Sequence, residues 1–223
     1  MCGRFALATD NETVAQQFEL PMPEGMMLAP RYNIAPTQPV TAVRHNRNNQ
    51  REITHFIWGL IPSWSKDPKM GSRMINARSE SVSEKPSFRA AFKRRRCIIP
   101  ATGFYEWRKL NGGKQPMYIH PTDEDLFAFA GLWEVWHSPD GGELESCTIL
   151  TTSPNELMEP IHNRMPVILE QEDYDLWLQP GEQPEQGLHL LRPFTSHKMA
   201  AYPVSTLVNS PRHDSQECVM PLR

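Results

Sequence analysis

The chain has 223 residues, enough for one sizeable core and few for two. No run approaches the roughly 18 consecutive apolar residues of a membrane span, and the net charge of −3 gives no overall attraction to a polyanion. The charge is nonetheless split: residues 1–120 hold 18 Lys and Arg against 9 Asp and Glu, while residues 121–223 hold 5 against 17. Such asymmetry points to a basic face for a polyanion, unless the halves interleave in space and cancel.

The N-terminus has no signal-peptide core, because Asp10 and Glu12 interrupt it early, so a cytoplasmic protein is expected. Thr9-Asp10-Asn11-Glu12 fits a capping box, with Val14 and Phe18 on one face of the helix that follows. Residues 20–30 form a loop rich in Pro and Met. Val40–His45 and Ile53–Ile61 read as strands around the polar turn at 46–50, and a long loop runs from Pro62 to Arg73. Ser87–Lys93 reads as a short helix. Cys97–Trp107 is one apolar strand, followed by the Asn111-Gly112-Gly113 turn and a strand at Met117–His120. Leu126–Trp136 and Cys147–Thr152 pair across a turn at 139–142. Ser153-Pro154-Asn155-Glu156 carries a helix start, with the helix reaching about Ile161. Met165–Leu169 is a strand, two short acidic helices follow near 171–178 and 184–191, and Ala201–Leu207 is the last strand. Hairpins dominate and helices are short. The fold class expected is α+β: one domain over 1–223, with a largely antiparallel, barrel-like β core and short peripheral helices.

Four cysteines without Cys-x-x-Cys spacing argue against a disulfide framework or a structural zinc site. Cys2 is different from the other three. Removal of Met1 would leave an amine and a thiol on one residue, able to form an imine with an aldehyde and then close a thiazolidine ring. Their ordinary pKa values lie near 8 and 8.5, so a modest depression activates either. The plain alternative is a small residue at a frayed terminus. Glu106, in Gly103-Phe104-Tyr105-Glu106-Trp107, shares a strand face with Phe104. Burial there would raise its pKa toward proton transfer; otherwise it is a solvent-facing glutamate. His162 opens His162-Asn163-Arg164-Met165-Pro166 at an element junction, where acid–base work or a simple structural role are both open. Asn76-Ala77-Arg78 offers an amide and a phosphate fork, each common in ordinary loops. Trp58, Trp64 and Phe88 are candidates for base stacking or for the core. The run Lys93-Arg94-Arg95-Arg96 reads as a solvated helix end more readily than as a phosphate contact.

Taken together, these motifs carry a resemblance. The chain resembles the SRAP family of abasic-site processing proteins through six markers in order: Met1–Phe5, Arg31–Pro36, Trp58–Trp64, Asn76–Glu80, Gly103–Trp107 and His162–Pro166. The middle residue of the last marker is often aspartate in relatives and is Asn163 here. The resemblance implies abasic sites in single-stranded DNA or at strand junctions as partner, and a monomer that needs neither metal nor organic cofactor. It implies that Cys2 forms a covalent thiazolidine crosslink with the opened sugar. Glu106 would shuttle protons and remove Met1 autocatalytically, an autopeptidase activity beside lyase chemistry on the sugar. His162 would act as general acid, and Asn76 would hold the reacting end. Arg4, Arg78 and Arg164 would grip phosphates, with Trp64 at the DNA surface. The rivals are an N-terminal-nucleophile amidase, which also begins Met-Cys-Gly, a non-covalent reader of damaged DNA, and a self-cleaving peptidase.

Overall fold

Alternating apolar runs pair into hairpins, and the hairpins sort into two sheets. The structure is a computed structural model that describes residues 2–179 and 187–222. One sheet is open and antiparallel. It contains β1 (Phe5–Leu7), β2 (Arg31–Ile34), β7 (Gly103–Leu110), β8 (Gly113–Pro121) and β12 (Met199–Pro203), in the order β12-β8-β7-β1-β2. The other closes on itself. Its ring is β4 (Arg51–Trp58), β3 (Pro39–His45), β6 (Arg96–Ala101), β9 (Phe127–His137) and β10 (Glu143–Thr152), with β9 and β10 pairing to complete it. Two short strands, β5 (Asn76–Arg78) and β11 (Met165–Pro166), extend opposite edges of β10. Most ladders are antiparallel, but β4 and β5 run parallel to β10. The α+β, barrel-like architecture is therefore present. Short helices, among them α1 (Asn11–Phe18), α2 (Arg89–Arg94) and α3 (Tyr174–Leu178), lie outside it.

One continuous apolar cluster joins the two sheets. Phe5 of β1 meets Trp58 and Phe129 edge-on, at ring centroid distances of 5.2 and 6.0 Å, and Phe104 of β7 meets Phe129 at 5.9 Å. Edge-to-face aromatic contacts of this kind add to the area term. Cys2, Cys97, Cys147 and Cys218 are all buried free thiols. No helix among the described residues is long and apolar enough to cross a membrane.

The structure changes several boundaries. The apolar run expected as one strand from Cys97 to Trp107 is two strands, β6 in the barrel and β7 in the open sheet. The break falls at Thr102, whose N–H donates to Ala6 O and whose hydroxyl accepts from Ala8 N–H. Gly103 makes the crossing possible: a Cβ there would lie 2.6 Å from Ile119 O. The strand ending at Ile61 stops at Trp58, because Gly59 turns the chain at φ +130°. A Cβ at Gly59 would sit 2.6 Å from Gly71 O, so the 59–75 loop is cinched before it delivers Asn76. The helix expected over Ser153–Ile161 is a chain of turns. Pro154 and Pro160 leave too short a stretch between them, and the Asn155 amide donates out to Phe194 O instead. The capping box is not used as read: Asp10, not Thr9, caps α1 through the Thr13 N–H at 2.9 Å. The C-terminal strand is Met199–Pro203, and Thr206–Asn209 is a 3-10 turn. Strands β1, β2 and β5 are too short to show a period and were not anticipated. The acidic helix near 171–178 appears as a 3-10 turn leading into α3; the one near 184–191 lies partly outside the described residues.

Candidate active site

Cys2 and the residues leading into β1 enter the seam between the two sheets. Cys2 precedes β1 and is 0% exposed. β1 pairs with β7 through Phe5↔Phe104 and Ala6↔Gly103, and the Tyr105 N–H donates to Arg4 O at 3.0 Å. That register brings Glu106 alongside the first residues. The alternation expected for β7 holds: Phe104 joins the main core, while Tyr105 packs in a second cluster on the opposite face.

Glu106 is 3% exposed. Burial pushes its carboxyl above the ordinary carboxylate range, and the facing His162 opposes the shift in part. His162 Nδ1 lies 3.9 Å from Glu106 Oε1, too far for a hydrogen bond but close enough for electrostatic coupling. His162 Nδ1 also faces the Arg164 backbone, 3.1 Å from its N–H and 3.3 Å from its carbonyl oxygen, which holds the ring in place. Burial pushes the Cys2 thiol far above its usual range, and the Glu106 carboxylate adds to the effect.

From the barrel side, Asn76 reaches across the seam. Its Nδ2 donates to Cys2 O at 2.8 Å. Its Oδ1 is buried without a hydrogen-bond partner among the described residues, an acceptor aimed at no protein donor. Asn76 owes its place to β5, which pairs with β10 as Asn76↔Ile149 and Arg78↔Thr151. The open sheet thus supplies Cys2 and Glu106, and the barrel supplies Asn76 and His162. All four sequence candidates for the chemistry converge.

The model of the SOS response associated peptidase (SRAP) family matches residues 1–211. The chain belongs to that family. It is 48% identical over 223 residues to the abasic site processing protein YoqW of Bacillus subtilis, covering 98% of this chain and 99% of the relative. It is 38% identical over 200 residues to the abasic site processing protein HMCES of Gallus gallus, covering 78% of this chain and 59% of that longer protein. A crystal structure of a protein from Bacteroides thetaiotaomicron superposes with a TM-score of 0.89 at 30% identity, covering 100% of both chains.

The polar residues around this SRAP site divide into engaged and available groups. Arg4, expected at phosphate, is instead tied into the fold: its guanidinium donates to Asn33 Oδ1 at 2.9 Å, Val208 O at 2.6 Å and Asn209 O at 3.2 Å. Burial lowers its pKa. Arg164, the second expected phosphate contact, forks onto Glu80 and donates to Thr151 O. That pair pulls the Glu80 carboxyl from an ordinary 4.5 down to about 2. Arg78 is exposed at the end of β5, and its side chain makes no hydrogen bond or ion pair among the described residues. Trp64 is 58% exposed, whereas Trp58 and Phe88 are core residues. The basic run at 93–96 is split: Arg94 is exposed at the end of α2, whereas Arg96 is buried against Trp177 and donates to its carbonyl, and Arg95 pairs with Glu134. A cavity of about 680 Å³ lined by Arg44, Arg47, Trp133 and Glu145 opens at the start of β10, away from the residues that converge near its end.

Sequence reasoning did not single out Asn33, the fully buried amide that receives Arg4. It lies inside one of the family markers, Arg31–Pro36, but an asparagine between two apolar strand residues gives no local signal of its role.

Proposed function

We propose that this chain captures abasic sites in DNA covalently through Cys2, once Met1 has been removed. The convergence of Cys2, Asn76, Glu106 and His162 in the seam carries this reading, and the relatives named as abasic site processing proteins support it. The steps balance. The Cys2 amine attacks C1′ of the opened sugar, forming a C–N bond, and loss of one water gives the imine. The thiol then adds across C=N, forming the C–S bond, and its proton passes to nitrogen. Glu106 takes a proton from the amine in the first step and returns it as water leaves. A carboxyl raised by burial suits both directions near neutral pH. His162 donates a proton to the sugar ring oxygen as the C1′–O4′ bond breaks, and the C1′ hydroxyl gives its proton to water, leaving the aldehyde. Asn76 holds the Cys2 carbonyl with its NH2 and offers Oδ1 to the attacking amine.

The buried thiol bears on the amidase rival. Amide hydrolysis at an N-terminal cysteine needs sulfur as first nucleophile, and a thiol pushed up by burial is held protonated. In the thiazolidine route nitrogen attacks first and the neutral thiol adds second. Peptide-bond hydrolysis that frees the Cys2 amine, with Glu106 as base, belongs to the same proposal, as does lyase chemistry at the captured sugar. Single-stranded DNA, plain or at a junction, is the substrate proposed. Arg78 holds a flanking phosphate and Trp64 stacks on a base, and Arg164 joins them by exchanging Glu80 for phosphate. The protein acts as a monomer in the cytoplasm, where its four free thiols stay reduced.

The test is a denaturing gel of mature protein mixed with single-stranded DNA bearing one abasic site. A heat-stable adduct is expected, absent in Cys2→Ala. An undiminished adduct in Cys2→Ala sinks the proposal. Mass spectrometry of the N-terminus checks the first step, since a retained Met1 blocks the amine.

A further inference from the structure

The chemistry above makes no use of the C-terminal segment after β12, yet that segment grips both strands that carry reacting groups. Val204, Val208 and Cys218 close a small apolar cluster with Ala6, Tyr105 and Tyr118 on the outer face of the open sheet. Two residues from Cys2, Arg4 donates to the carbonyls of Val208 and Asn209 at 2.6 and 3.2 Å. One residue from Glu106, Trp107 Nε1 donates to Asn209 Oδ1 at 2.7 Å. On the other side of Glu106, the Tyr105 hydroxyl donates to Tyr32 O on β2 at 2.6 Å. β2 is itself fastened to the segment: Asp214 accepts the Tyr32 and Asn33 N–H groups and pairs with Arg31. Asn33 sits at the centre. Its Oδ1 accepts from Arg4, and its NH2 is shared among the carbonyls of Val208, Ser210 and His213.

This arrangement compensates for a short ladder. β1 and β7 are registered by only two residue pairs, and Cys2 lies before the first of them. A chain end held by so little tends to fray. From the barrel, Asn76 adds a hydrogen bond to Cys2 O, and Trp58 and Phe129 pack against Phe5. We propose that the segment from Ser205 to Asp214 is a strap that sets the spacing between Cys2 and Glu106, with Asn209 and Asp214 as positioning residues. Arg4 is the hook on the Cys2 side and Trp107 the hook on the Glu106 side. Asp214 lies beyond the residues 1–211 matched by the family model. The inference rests on the covalent-capture reading.

Single-turnover crosslinking of abasic-site DNA, followed across protein concentrations, separates the maximal rate from the half-saturating concentration. Asn209→Ala and Asp214→Ala are expected to slow the maximal rate roughly tenfold or more, with half-saturation unchanged, because misplaced reacting groups lose rate before they lose binding. Asn209→Asp keeps an acceptor for Trp107 Nε1 and is expected to restore most of the rate. Unchanged maximal rates in both alanine variants overturn the strap, as does a change confined to half-saturation. Hydrogen exchange at the Tyr105 N–H, which donates to Arg4 O, gives a readout that needs no adduct. It is expected to quicken in both variants, and equal protection in variant and parent overturns the proposal. Should Asp214→Ala fail to fold, Trp107→Phe removes one strap bond from a half-buried ring and faces the same two measurements. Absence of any adduct from the unsubstituted protein would count against covalent capture, while the exchange result would still decide the strap.

Discussion

The barrel and the open sheet stabilise their halves of the site by different means. In the barrel, β9 and β10 close the ring, so Asn76 and His162 lie beside a strand paired along both edges. Closure removes the edge problem and gives a stiff frame. The open sheet has no such closure. Glu106 is held by the long β7–β8 ladder, but Cys2 joins it only through the two-pair β1–β7 ladder, an aromatic seam to the barrel and a covering C-terminal segment. The difference teaches where tolerance lies. The barrel positions its groups mostly through backbone pairing, with Trp58 Nε1 bonding Ile75 O beside Asn76, whereas the open sheet leans more on side chains from distant sequence.

The most damaging way to break this arrangement is at the seam. Phe129 is fully buried and meets Phe5, Phe104 and Phe127, so Phe129→Ala is expected to cost about 3–5 kcal/mol, read as a lower midpoint in denaturant. A loss under about 1 kcal/mol would mean the two sheets are not coupled through this ring. Next comes the Asn76 hydrogen bond from the barrel to Cys2 O. Asn76→Ala is expected to slow crosslinking on the order of 10²-fold with little change in folding stability. An unchanged rate would separate Asn76 from the chemistry.

The pH dependence sharpens the open-sheet half. Because burial raises the Glu106 pKa, its base form accumulates only as pH rises past the ordinary 4.5, and the crosslinking rate should climb through that shifted value. Glu106→Gln should flatten the acid limb; a profile of the same shape would assign the limb elsewhere. A smaller effect belongs to the exposed end of β5. Arg78→Ala should lower the salt slope of DNA binding by about 1, and an unchanged slope would remove its phosphate contact. Smallest is the Arg164–Glu80 pair, whose Glu80 side is exposed. Glu80 has a folded pKa of about 2 against an ordinary 4.5, so its contribution is complete above about 4.5 and fades as pH falls toward 2. In Glu80→Gln the acid dependence of stability should shrink across that window, measurable by thermal melts at stepped pH.

Much of the fold was legible because its hairpins obey local rules. The β7–β8 turn at Asn111-Gly112 and the β3–β4 turn both follow from turn residues between apolar strands. The turns at 153–161 were not legible, since the helix start signal at Ser153 is local while the Asn155 bond to Phe194 is not. The charge split misled in part. Arg31, Arg44, Arg51 and Arg95 from the first half pair with Asp214, Glu145, Asp175 and Glu134 from the second. Much of the asymmetry is therefore consumed inside the fold rather than displayed as one basic face.

The sequence by itself determined the chemistry on offer: a cysteine directly behind the initiator methionine, a carboxylate among aromatics, an imidazole at a junction and an amide before an arginine. Side-chain chemistry is a property of residue type, and the order of the markers was enough to reveal the family. Only the tertiary structure decided which arginines remain open to a ligand. Arg4 and Arg164 look like Arg78 in sequence, yet two are bonded within the fold and one is exposed. Hydrogen-bond partners drawn from positions far apart in the chain set that difference, and no local pattern encodes them.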